Sequence, residues 1–118
     1  MTSALTNSAL EMPGTLDADF IELTHPGEIL REDFLEPMRL NARDLSQAIS
    51  VPPSRILAIL QGQRDISAET SLLLDKFFGL SDGYWLRLQS DYNLRKARRG
   101  LTEKIARVRP YVDAVQPN

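Results

Sequence analysis

The stretch Leu40-Asn41-Ala42-Arg43-Asp44-Leu45-Ser46-Gln47-Ala48-Ile49-Ser50-Val51-Pro52-Pro53-Ser54-Arg55-Ile56 decides the fold. Asn41 is a favourable N-cap with Asp44 three residues on, and Leu45, Ala48 and Ile49 form a narrow apolar stripe, so a short helix is predicted over about 41–49. Ser50-Val51-Pro52 breaks that pattern. Pro53 reopens it as a first-turn proline, Ile56, Ile59 and Leu60 continue it at i, i+3, i+4, and Gly62 supplies a stop. Two short helices joined by about three residues follow from residue types alone.

Working outward, His25-Pro26-Gly27-Glu28 is a helix start, with Pro26 suited to the first helical position and acids favourable in the first turn. That helix should carry Ile29, Leu30, Phe34 and Leu35 inward and run to about Glu36, ended by Pro37. On the other side, Ser67 begins a helix through Leu72, Leu73, Leu74, Phe77 and Phe78, ended by Gly79. Ser81 is expected to cap a fifth helix, where Trp85, Leu88 and Tyr92 repeat at helical spacing. Thr102 is a candidate cap for a short sixth helix ending before Pro110. Val108 to Val112 can be extended, but no segment alternates with period two over a useful length. The chain is therefore read as all-α: a five-helix domain over 24–99, an acidic N-terminal extension over 1–23 and a basic C-terminal extension over 100–118.

At 118 residues with 42% apolar and 25% charged side chains, the sequence suits one globular domain. With no cysteine and one histidine, it offers no thiolate chemistry, cysteine-ligated zinc or multi-histidine metal site. His25 has only Glu22 and Glu28 nearby, without ligand spacing, and reads as a helix-end residue. No catalytic constellation, cofactor motif, small-molecule substrate site or membrane span is expected, and the first 24 residues hold no Lys or Arg to open an export signal. The net charge of −2 conceals a gradient. Residues 1–36 hold eight acids against one arginine, residues 37–86 balance, and residues 87–109 hold eight bases against two acids. Such asymmetry suits a polyanionic partner or, equally, solvated helix faces.

A helix, a three-residue connection and a helix within a small bundle is the outline of a helix-turn-helix DNA reader. If Leu45, Ile49, Val51, Ile56 and Ile59 hold the pair crossed, then Pro53, Ser54, Leu57, Ala58 and Gln61 face away from the core. This small, uncharged face suits a groove better than bulk water. Asn41, Arg43, Arg55 and Arg64 lie in or beside the motif and can bind phosphate or, for arginine, guanine; solvated or salt-bridged surface is the alternative. Ser54, Ala58 and Gln61 can meet base edges, Ala58 only through an apolar contact such as a thymine methyl. Trp85, Leu88 and Tyr92 fit core or dimer packing better than a ligand box. The run Arg95-Lys96-Ala97-Arg98-Arg99 can reach DNA phosphates, pair with an acidic partner segment or remain solvated.

These residues resemble the Xre, lambda-repressor-like helix-turn-helix family. With His25-Pro26-Gly27-Glu28-Ile29-Leu30-Arg31-Glu32 ahead and Tyr84-Trp85-Leu86-Arg87-Leu88-Gln89-Ser90-Asp91-Tyr92-Asn93-Leu94 behind, about 24–99 resembles HigA-type antitoxins. The resemblance implies a cytoplasmic homodimer that binds double-stranded operator DNA at its own operon and neutralises a HigB-type toxin, an mRNA endoribonuclease of RelE fold. Chemistry would then belong to the toxin and not to this chain. Relatives often carry Gln at Ala42, Gly at Ser50, a polar or basic residue at Pro53 and a polar one at Leu57; these departures leave base recognition weaker or carried by fewer residues. A stand-alone Xre regulator without a toxin, and a protein-binding module that has stopped reading DNA, are the other readings. Residues 1–24 combine Glu11, Asp17, Asp19 and Glu22 with Leu10, Met12, Leu16, Phe20, Ile21 and Leu23, which suits either folding onto a basic toxin or packing back on the bundle.

Overall fold

His25 opens the first helix by accepting a hydrogen bond at Nδ1 from the Gly27 N–H at 2.9 Å, with Pro26 at the first helical position. The computed structural model describes residues 23–112, so the expectations placed on residues 1–22 lie outside it. Helix α1 comprises an α turn Pro26–Ile29, a π segment Leu30–Leu35 and a last turn Glu36–Met38. The helices that follow are α2 Ala42–Ile49, α3 Pro53–Leu60, α4 Ala68–Phe78, α5 Tyr84–Gly100 and α6 Thr102–Arg107. There is no strand among the described residues; Val108 leaves α6 with extended backbone angles. The described residues 23–93 and 94–112 belong to two separate compact units, with α5 beginning in the first and ending in the second.

In the first unit the core is Leu30, Leu35, Leu45, Ile49, Val51, Ile56, Ile59, Ile66, Leu74 and Trp85. Each large side chain removed from water there contributes roughly 1.5–3 kcal/mol. Phe34 joins three helices, its ring centroid lying 4.9 Å from Phe78 and 5.0 Å from Trp85. The turns close locally. Arg39, Ser50, Gly62 and Gly79 all take left-handed backbone conformations after helices, and the next N–H in each case returns to a carbonyl of the last turn, as Gln63 does to Ala58 at 2.9 Å.

Three expectations about helix ends need correction. Pro37 does not end α1: it sits within the turn Glu36–Met38, and the chain leaves the helix at Arg39, φ 59°. A proline N has no hydrogen to donate and its ring crowds the carbonyl four residues back, and the wider π register just ahead, with the Glu36 N–H on the Arg31 carbonyl, accommodates both. Ser81 does not cap α5; its Oγ accepts from Arg87 Nη2. Thr102 does not cap α6, since its hydroxyl donates back to the Arg98 carbonyl at 3.1 Å.

What opens α5 is a buried carboxylate from the preceding helix. Asp75, 0% exposed, accepts from the N–H groups of Gly83 at 2.8 Å and Trp85 at 3.3 Å and from the Ser71 hydroxyl at 3.0 Å. Ser71 Oγ in turn accepts from the Leu86 N–H at 2.9 Å. Four donors that an apolar interior cannot satisfy are thus met by two side chains of α4. Asp75→Ala strands several of them at about 1–3 kcal/mol each, so we expect a loss of about 3–5 kcal/mol in urea unfolding, with Asp75→Asn falling between. A loss under about 1 kcal/mol would show that the start of α5 does not depend on this carboxylate.

Candidate nucleic-acid interface

Helix α2 starts with a reciprocal cap: Asn41 Oδ1 accepts from the Asp44 N–H at 2.7 Å, and Asp44 Oδ2 from the Asn41 N–H at 3.2 Å. The eight-residue helix is closed by Ser50, φ 58°, and Val51 is buried, which swings the chain into α3 across three residues outside helix. Helix α3 lays Ile56 and Ile59 inward. Its other contact is with α1, where a Cβ on Gly27 would overlap the Ile59 carbonyl. Only glycine permits backbone contact at that crossing, so α1 presses directly on the back of α3.

Pro53, Ser54, Leu57 and Gln61 are exposed and Ala58 is half-buried, which is the outward face that the apolar pattern predicts. The structure brings Asn41, Arg43, Pro53 and Leu57 together around a concavity of about 560 Å³ between α2 and α3. Ala42, Ser46 and Gln47 complete its lining. Gln47 is an exposed amide the sequence reading overlooked, although its position four residues after Arg43 on the same short helix was a usable signal. Ser54, Arg55, Ala58 and Arg64 do not line this concavity, and Gln61 borders a different one with His25, Glu28, Arg31, Leu60 and Gly62.

Arg43 and Arg64 are exposed, whereas Arg55 is half-buried with an Nε that has no hydrogen-bond partner among the described residues. None of Arg39, Arg43, Arg55 and Arg64 forms an ion pair among the described residues. Between residues 39 and 64 the sequence carries these four arginines and one acid, Asp44, whose carboxylate is occupied by the cap. This segment is therefore positive and uncompensated, as a phosphate-facing surface requires. Arg64 sits on the loop after α3, and that loop is tied to α5: Gln89, 2% exposed, accepts from the Ile66 N–H at 2.9 Å and donates to Asn93, which donates to Asp65. Among the described residues no group of three or more His, Asp or Glu could hold a metal ion, and no helix is long and apolar enough to cross a membrane.

A helix pair joined by a three-residue turn, with a buried apolar hinge and an uncharged outward face, defines a helix-turn-helix protein. No family model matches the chain. Virulence-associated protein I of Dichelobacter nodosus is 49% identical over 73 residues, 62% of this chain and 68% of that one. Among solved structures, an addiction module antidote protein of the HigA family from Coxiella burnetii is 39% identical with a TM-score of 0.72, covering 77% of this chain and all of that one. The Pseudomonas aeruginosa antitoxin HigA, solved with the higBA promoter, is 33% identical with a TM-score of 0.72, covering 75% of this chain and 98% of that one. The chain belongs to the HigA-type family of Xre helix-turn-helix antitoxins and regulators.

Ser50 bears a left-handed conformation that a Cβ makes costly, and it is exposed. Ser50→Gly should raise stability by up to about 1 kcal/mol, seen as a higher urea midpoint at unchanged slope, with DNA affinity unaltered. A lower midpoint would mean that the serine side chain itself holds the turn.

Proposed function

We propose that this chain is a dimeric, operator-binding antitoxin of the cytoplasm, which represses its own operon and neutralises a HigB-type endoribonuclease of RelE fold. The observation that carries the DNA-binding part is the α2–α3 face itself: an uncharged outward helix surface beside a concavity, within a segment of four arginines that make no ion pair among the described residues. The likeness to a HigA antitoxin solved with its promoter supports the same reading. Asn41, Arg43, Arg55 and Arg64 are assigned to phosphate or guanine contact. Pro53, Ser54, Leu57, Ala58 and Gln61 are assigned to the groove. A two-fold dimer would set two copies of α3 about 34 Å apart, in successive major grooves, on a palindromic site. Exposed apolar residues in the second unit, among them Leu101, Ile105, Val108 and Tyr111, are suited to subunit association.

A stand-alone regulator is the second reading, favoured by a relative described as an HTH-type transcriptional regulator of Haemophilus influenzae, 33% identical over 89 residues and covered over 83% of its length. A short reading frame for a basic RelE-like protein beside this one separates the two.

Two measurements test the proposal. Titrating the full chain with the DNA upstream of its own coding sequence should give binding that weakens steeply with salt. Arg43→Ala, at an exposed position, should leave the fold intact, weaken all sequences alike and lower the salt slope by about one ion; an unchanged slope removes Arg43 from the phosphate contacts. For the toxin, deletion of residues 1–19 should preserve operator binding and melting temperature while toxin affinity falls markedly. Full toxin affinity in the truncated chain, or loss of its fold, would take the neutralising role away from that segment.

A further inference from the structure

Reading DNA in the major groove divides side chains by chemistry. Arginine and lysine suit guanine, glutamate and aspartate the cytosine amino group, asparagine and glutamine adenine, and apolar groups the C5-methyl of thymine. The outward face of α3, Pro53, Ser54, Leu57, Ala58 and Gln61, contains neither a base nor an acid. Arg55 adjoins it but is half-buried. What this face is best suited to discriminate is therefore A·T from the rest: Gln61 has the amide that pairs with adenine, Ser54 can meet either kind of pair, and the remaining surface is aliphatic.

Leu57 is the largest group there and is 47% exposed. It is not an isolated surface leucine, because it shares the wall of the concavity with Pro53 and Ala42, and Asn41, Arg43 and Gln47 complete that lining with polar and charged groups. A small apolar wall edged by polar and charged groups is suited to a methyl group and too small for a large apolar partner. The neighbouring charge identifies the occupant, since Arg43 stands at the same concavity and the segment around it carries an excess of three positive charges. A polyanion with apolar methyl groups projecting into its groove satisfies both features at once.

Resting on the operator-binding reading above, we infer that Leu57 is a specificity-determining residue that reads thymine C5-methyl groups, with Pro53 extending the same apolar surface, so that each half-site is recognised chiefly at A·T pairs. Burying one methyl group corresponds to about a four-fold change in affinity.

The test uses the full chain and a promoter duplex bounded by footprinting, in which each thymine is replaced in turn by uracil. That change removes the methyl and preserves the base pair. Wild type should bind about four-fold more weakly at each contacted position. Leu57→Ala should bind the thymine duplex more weakly and no longer distinguish thymine from uracil, whereas Leu57→Met should keep the distinction. If wild type binds both duplexes equally while promoter preference and salt dependence persist, the methyl inference fails and the operator reading stands. Leu57→Ala that retains full discrimination also overturns it. If that variant binds DNA unchanged but loses toxin affinity, the surface belongs to a protein partner and the inference is wrong. Absence of any preference for the promoter over unrelated DNA removes the operator reading and this inference together.

Discussion

The N–H groups that open α5 are directed at α4, where the Asp75 carboxylate and the Ser71 hydroxyl receive them away from water. A carboxyl group at zero exposure is costly to bury, and only a full set of hydrogen-bond partners makes it tolerable. The consequence is directional. Because Gly83, Trp85 and Leu86 are all held by α4, the start of α5 has one orientation, which places Trp85 against Phe34 of α1 and Gln89 against the Ile66 N–H. The loop that carries Arg64 is thereby fixed through a chain of amides and not by apolar packing alone.

From the opposite side, α3 is set by contact without side chains. Gly27 lies so close to the Ile59 carbonyl that any other residue would push α1 away from α3. The turn between α2 and α3 is also tightly determined, with Ser50 in a left-handed conformation and Val51 buried directly after it. A helix of eight residues has little intrinsic stability. What holds α3 is Gly27 behind it, Val51 before it and the Gln89-anchored loop after it, and rigid placement of the outward face is what the proposed base reading requires.

How much was legible in the sequence follows from the range of the interactions. The helix-turn-helix was readable because its determinants are local: Asn41 with Asp44, Pro53 at the helix start, and Gly62 with Gln63 closing the end. Most core residues followed from helical spacing, but Ile66, buried on the loop after α3, did not, and Ala48, on the stripe with Leu45 and Ile49, is exposed. Asp75 was not readable as a cap, because it acts on residues eight and ten positions away and, in sequence, looks like an ordinary acid on a helix. Pro37 misled for a related reason: proline usually stops a helix, and a π segment that lets it continue leaves no simple signature. On the candidate interface, periodicity separated Leu57 and Gln61 from Ile56 and Ile59. It could not show that Arg55 is half-buried or that Gln47 joins the concavity, since those depend on how α2 crosses α3.

In the proposed function, the face and its surrounding charges divide the work of recognition. Arginines would supply affinity that is blind to sequence and falls with salt, while the uncharged face would supply discrimination that does not. With one mismatched base pair costing about 1–3 kcal/mol, the few outward groups of α3 cannot by themselves separate an operator from a genome of competitors. A second copy of the same face, related by two-fold symmetry, doubles the discriminating terms without a new kind of contact. The departures that the family resemblance implies at Pro53 and Leu57 fit this proposed division: apolar groups stand on the face, and the arginines around it would provide the attraction.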